Sequence, residues 1–170
     1  SVFSTFDAFS RINPAVKAPT LVLDNGIRLM DSSLILNYFE AQADPERRLL
    51  PVAPDAQAND LQTLGFILAA AEKAVQNVYE HNLRPVEKQH VSWVERITIQ
   101  LLAACREWNT LLEGRPATAV PDQVAVTSTV VWTFIQSMIP QVVNAADFRT
   151  IQAFAESFES QSAFKKYPFN

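Results

Sequence analysis

Apolar and polar positions alternate over a short span near the start of the chain. Thr20 to Leu23 and Ile27 to Met30 are two β-prone runs on either side of Asp24-Asn25-Gly26, a strong turn signal, and this spacing predicts an antiparallel hairpin. Gly26 takes positive φ without a Cβ clash, which lets the chain reverse there. Asp31-Ser32-Ser33 follows, three short side chains able to accept hydrogen bonds from the free N–H groups of a helix start. Leu34, Ile35, Tyr38 and Phe39 then recur at helical spacing. A helix is therefore predicted to begin at residues 31–33.

The pattern breaks at Leu49-Leu50-Pro51, Pro54 and Asp55, and each long segment beyond has a helical period. Leu61, Leu64, Leu68, Val75 and Val78 make one apolar stripe, ending at Arg84-Pro85. Val91, Val94, Ile97, Leu101, Cys105, Trp108 and Leu112 make a second, stopped by Gly114. These predict two long antiparallel helices. A third helix runs from Val124 to Met138, and a fourth from Phe148 to Phe158 places Ile151, Phe154, Ala155 and Phe158 on one side. No internal repeat is visible.

With 170 residues and 48% hydrophobic content, the chain can bury a sizeable core without disulfides or metal. Its single cysteine, Cys105, excludes an internal disulfide and suits a reducing compartment; with no leader or spanning segment in view, a cytoplasmic protein is expected. A net charge of −4 and pI near 5.2 argue against a nucleic-acid surface, which needs clustered Lys and Arg. From Gln123 to Ala146 there is no charged residue, but Thr127, Ser128, Thr129, Thr133, Gln136 and Ser137 interrupt the run and Pro140 ends it. A helix buried on most sides fits better than one crossing a membrane, which requires about 20 mostly apolar residues.

Candidate chemistry concentrates at residues 31–33. The first turn of a helix carries free N–H donors and the positive end of the dipole, so Ser32 and these donors could hold a small carboxylate; spacing alone favours the plainer reading, that Asp31 and Ser32 cap the helix. Cys105 falls on an apolar stripe and reads as a small buried hydrophobe. His81 and His90 lack neighbours at metal-ligand spacing, so both read as surface residues and no metal is expected. Glu80 and Arg84, at i and i+4 in the favourable order, read as a solvated ion pair at a helix end.

The succession Asn13-Pro14, Lys17-Ala18-Pro19, the hairpin and Asp31-Ser32-Ser33 resembles the second half of the thioredoxin-like domain of glutathione transferases, where N-P-x-x-K-x-P precedes two strands and an acidic residue followed by Ser. Glu80, Arg84-Pro85, Trp93, Arg96 and Ser162-Ala163-Phe164-Lys165-Lys166 match habits of bacterial members, so the resemblance extends over essentially the whole chain. It implies an α+β protein. Residues 1–44 would be the C-terminal half of a thioredoxin-like glutathione-binding domain, 45–54 a linker, and 55–170 an all-helical domain. It further implies a cis Ala18-Pro19 bond, Ala18 and Pro19 pairing with the backbone of glutathione, Asp31 and Ser32 holding its γ-glutamyl group, and Lys17 approaching the glycyl carboxylate. Phe66, Tyr79 and Trp132 are candidates to line an electrophile pocket, although they fit core stripes equally well. A homodimer is implied as well.

Two departures from the family stand out. The family's third helix of the helical domain opens with Ser or Thr, two residues, then Asp, a reciprocal capping box; here the aligned positions read Val120-Pro121-Asp122-Gln123, so Asp122 is left as the N-cap and burial is expected to hold the helix. The family's first strand, helix and second strand need about 30 or more residues, yet only 18 precede Pro19. Residues 1–9 are expected to be the tail of the connecting segment. The family's thiol-activating Tyr, Ser or Cys is accordingly expected upstream of Ser1. The leading function is a glutathione S-transferase-like enzyme that transfers the glutathione thiolate to a small electrophile; the alternatives are a non-catalytic interaction or regulatory scaffold of the same fold, and a glutathione-dependent isomerase or dehalogenase.

Overall fold

A computed structural model describes residues 5–115 and 120–169. The chain divides into two compact units, Ser1–Arg48 and Leu49–Asn170.

The first unit opens with α1 (Phe6–Ile12), a full helix where sequence suggested only the tail of a connector; residues 1–4 of that tail lie outside the described residues. A hairpin of β1 (Thr20–Val22) and β2 (Arg28–Met30) follows, then α2 (Ser32–Gln42). The strands are antiparallel, with Thr20 opposite Met30 and Val22 opposite Arg28. The turn closes as its sequence predicts: Gly26 has φ 83°, its N–H donates to the Leu23 carbonyl at 2.8 Å, and the Ile27 N–H donates to Asn25 Oδ1 at 3.1 Å. Neither α1 nor α2 contains a fully buried residue.

The second unit consists of helices joined by short turns. It contains α3 (Pro54–Leu83), α4 (Val91–Leu111), α5 (Gln123–Met138), α6 (Arg149–Glu159) and α7 (Ser162–Lys166). Pro54 occupies the first helical position of α3, where its missing N–H costs nothing, and Pro85 follows the C-cap. Gly114 stops α4 with φ 76°. Trp108 from α4 lies edge-on to Trp132 from α5, with ring centroids 5.9 Å apart, and Trp132 meets Phe148 at 6.2 Å. Ile151, Phe154, Ala155 and Phe158 of α6 all face this core.

The hydroxyls that interrupt α5 explain how a polar helix can be buried. Thr127, Thr129 and Thr133 each donate to the carbonyl four residues back, while Ser128 Oγ accepts from Trp108 Nε1 at 3.2 Å. Each bond removes a desolvation cost of about 1–3 kcal/mol. Among the described residues no helix is long and apolar enough to cross a membrane.

Three sequence expectations change here. Leu64 and Val78 of the α3 stripe are buried as predicted, but Leu61 and Leu68 are 51% and 40% exposed, and the buried face also takes in Asp60, Thr63, Ile67, Ala70, Ala74 and Asn77. Polar residues face inward because partners distant in sequence meet them: Asn77 Nδ2 donates to Thr98 Oγ1 at 3.0 Å. Glu80 is not solvated. Its side chain is only 6% exposed, it pairs with Arg84 Nε at 2.9 Å, and it accepts from the His90 N–H at 3.2 Å, joining the end of α3 to the start of α4.

The third change concerns α5, which has more than burial to hold it. Asp122 is its N-cap, accepting from the Ala125 N–H at 2.8 Å, and with Ala in that third position the reciprocal box is indeed absent. Instead, Arg115 bridges Asp122 at 2.7 Å and Asp60 of α3 at 2.7 and 3.2 Å. Burial alone would lower the pKa of this guanidinium, but hydrogen bonds and charge from Asp60 and Asp122 outweigh it and raise the pKa above its ordinary value. A comparable tether starts α6, which has no cap from its own N-cap residue, Phe148: Asn109 of α4 accepts from the Ile151 N–H at 3.3 Å.

Candidate functional site

The hairpin register builds the candidate site. Because Thr20 pairs with Met30, the residues just outside the pair, Lys17-Ala18-Pro19 on one arm and Asp31-Ser32 on the other, are brought together. Lys17 Nζ lies 3.7 Å from Asp31 Oδ2, with both side chains about half exposed. A pair this exposed contributes about 0–1 kcal/mol, so an incoming charged group can displace it at little cost. The Ala18-Pro19 peptide is cis, as the resemblance implied.

Asp31 and Ser32 separate into different roles. Asp31 Oδ1 accepts from the Ser33 N–H at 3.0 Å and caps α2, leaving Oδ2 toward Lys17; its carbonyl accepts from the Ile35 N–H at 3.1 Å, the first bond of the helix. Ser32 is exposed, and among the described residues its hydroxyl takes part in no hydrogen bond. Beside it, the N–H groups of Ser32 and Leu34 have no partner within the helix, as in any first turn. A carboxylate oxygen, a free hydroxyl and the positive end of a helix therefore share one corner.

Backbone strain flanks this corner. Val16 has φ 49° and Asp31 φ 72°, left-handed conformations that are rare outside glycine and costly for a β-branched side chain. Each such residue costs on the order of 1–3 kcal/mol and persists only where its surroundings hold it. On the Val16 side the holder is Asn13, whose role is not visible in the Asn13-Pro14 motif by itself. It is 1% exposed, and its amide bonds to Lys17, Thr20, Met30 and Ala15. The only signal in the sequence is the Asn-Pro pair that opens a turn.

The other candidates lie elsewhere in chemistry. Cys105 is wholly buried, and burial pushes its thiol up to about 12, with Arg106 pulling weakly the other way. Burial thus disfavours the thiolate there. His81 Nδ1 lies 2.8 Å from the Asn77 carbonyl, and His90 Nδ1 accepts from the Trp93 N–H as the cap of α4; both are exposed. Trp132 is 3% exposed within the core, while Tyr79 is 44% exposed.

A strand hairpin and helix carrying a cis-proline loop, followed by an all-helical unit, define the glutathione transferase architecture. Residues 1–47 match the family model described as "Glutathione S-transferase, N-terminal domain". A glutathione S-transferase from Methylobacterium radiotolerans, solved with glutathione sulfonate, superposes with TM-score 0.83 at 20% identity, covering 95% of this chain and 77% of that one. A glutathione transferase family member from Pseudomonas fluorescens, solved with glutathione, gives TM-score 0.81 at 22% identity, covering 94% and 77%. Maleylpyruvate isomerase from Pseudomonas aeruginosa gives 0.69 at 20% identity, covering 87% and 78%. Comparison with curated protein sequences finds no match. Residues 1–47 thus carry the N-terminal signature of glutathione transferases, and nearly the whole chain shares the fold of solved glutathione transferases.

Proposed function

We propose that this protein binds glutathione and, as a glutathione S-transferase-like enzyme, transfers its thiolate to a small electrophile. The γ-glutamyl end of glutathione carries one ammonium and one carboxylate. Asp31 Oδ2 complements the ammonium, while the Ser32 hydroxyl and the free N–H groups of the first turn of α2 complement the carboxylate. The main chain at Ala18 and Pro19 pairs with the cysteinyl backbone, and Lys17 exchanges its loose contact with Asp31 for the glycyl carboxylate. One observation carries this reading: the capping is done by Asp31, which leaves the Ser32 hydroxyl unused beside a free helix start. Neighbours solved with glutathione or glutathione sulfonate support the choice of ligand.

In the reaction the glutathione thiol gives up its proton, the sulfur bonds to the electrophilic carbon, and the leaving group departs with the electrons of the broken bond. The thiolate is the reactive form, so a nearby donor that stabilises it raises the rate near neutral pH. Cys105 is not that donor, being wholly buried in the core of the helical unit, where no ligand sulfur reaches it. An isomerase needs the same glutathione-binding half, and an isomerase is among the structural neighbours; analysing whether a product retains the glutathionyl group separates the two. A scaffold without catalysis would have no use for a free Ser32 corner. The same reading carries a cytoplasmic homodimer, for which sedimentation is the test.

Calorimetric titration with glutathione tests the site. Ser32→Ala is expected to raise Kd by roughly 10- to 100-fold, since a hydrogen bond to a charged group is worth about 1.5–3 kcal/mol. An unchanged Kd would remove Ser32 from the site, and no heat at millimolar glutathione would sink the proposal.

A further inference from the structure

We infer that Asn13 is the positioning residue of this site, the group that holds its two arms in register. The inference rests on the glutathione reading for the ligand, whereas the coupling it describes rests on this chain's own geometry. The Asn13 amide Nδ2 donates to Thr20 Oγ1 at 2.9 Å and to the Lys17 carbonyl at 3.3 Å, and lies 3.6 Å from Met30 Sδ. Its Oδ1 accepts from the Ala15 N–H at 3.0 Å and its main-chain carbonyl from the Val16 N–H at 2.9 Å. Thr20 Oγ1 in turn donates to the Lys17 carbonyl at 2.6 Å.

The Lys17 carbonyl, directly before Ala18, is therefore fixed from two directions. Met30, directly before Asp31, is the contact on the opposite arm. One side chain at 1% exposure thus touches the residues adjoining both ligand-facing segments, and it secures the loop in which Val16 adopts φ 49°. No other residue type supplies the same set. Asp offers no amide donor and would set a buried charge against a carbonyl, and Gln places its amide one methylene too far.

The test compares Asn13→Ala with Gly26→Ala. Gly26 sits at the hairpin tip with φ 83° and open space around it, so its substitution strains the same unit without touching the site. Asn13→Ala is expected to weaken glutathione binding at least 10-fold and to shift the amide resonances of Ser32 to Leu34 in the absence of ligand; Gly26→Ala is expected to leave Kd within about 2-fold. Wild-type affinity in Asn13→Ala, alongside weakened binding in Ser32→Ala, would overturn the positioning role and leave the glutathione reading standing. If the parent protein takes up no glutathione, the ligand assignment fails, and unmoved Ser32–Leu34 resonances in Asn13→Ala would overturn the coupling as well. Should Asn13→Ala lose its dispersed spectrum, Thr20→Val removes the hydroxyl at constant shape. It is expected to weaken binding severalfold, and an unchanged Kd there would refute the inference.

Discussion

Replacing Arg115 by Met removes the guanidinium between α3 and α5 while keeping a side chain of similar reach. Asp60, with its side chain 9% exposed, then loses a two-pronged partner at 2.7 and 3.2 Å; Asp122, 31% exposed, keeps its cap on Ala125 and is open to water. Removing one partner of a buried pair costs about 3–5 kcal/mol. Because Arg115 is itself 22% exposed, water can reach the gap and the lower end, about 3 kcal/mol, is expected. For a protein of this size that lowers Tm by on the order of 10 °C. All three tryptophans, Trp93, Trp108 and Trp132, belong to the helical unit, so fluorescence during urea unfolding follows the affected part directly. The double variant Asp60→Asn with Arg115→Met should recover much of the loss, since an amide needs no counter-charge. A cost under about 1 kcal/mol for Arg115→Met, or a double variant no better than the single, would refute the clamp.

Cys105 should react with iodoacetamide at neutral pH only as fast as the protein opens, and rapid labelling of the folded protein would contradict its burial. Its pKa is raised from 9.0 to about 12, so the stability tied to the neutral thiol is fully present below pH 9 and is lost as pH rises through about 12; Cys105→Ala should flatten that part of a stability profile. Gly26→Val places a β-branched side chain at φ 83° and should cost at least about 1 kcal/mol in thermal unfolding, whereas Gly26→Asn should cost less. Glu80→Ala frees the His90 N–H in a part-buried setting and should cost about 1–2 kcal/mol by urea unfolding, with Glu80→Gln recovering most of it; equal losses would show that charge rather than hydrogen bonding matters there.

Hairpin, helix start and the core faces of α4 and α6 were legible in the sequence because each depends on residues two to four positions apart. Ile97, Leu101, Cys105 and Trp108 are fully buried on the stripe their spacing predicts, and Asp24-Asn25-Gly26 forms the turn its composition predicts. The face of α3 was legible only in part: Leu64 and Val78 are buried as their spacing predicts, whereas Leu61 and Leu68 are exposed. A helix of 30 residues meets different partners along its length, and Asp60, Asn77 and Glu80 turn inward only because Arg115, Thr98 and His90 arrive from other segments. No periodicity within α3 encodes those arrivals.

The candidate site divides along the same line. Sequence alone determined which residues could make a ligand corner, since Asp31-Ser32-Ser33 before an apolar helical run supplies hydroxyl, carboxylate and free N–H donors wherever the chain goes. Tertiary structure decided how they are used: strand register sets Lys17 against Asp31, Asp31 takes the cap, Ser32 stays free, and Asn13 ties one arm to the other. Capping chemistry is local and can be read from a few consecutive letters, whereas the choice between two adjacent hydrogen-bonding side chains turns on contacts that exist only once the strands have paired.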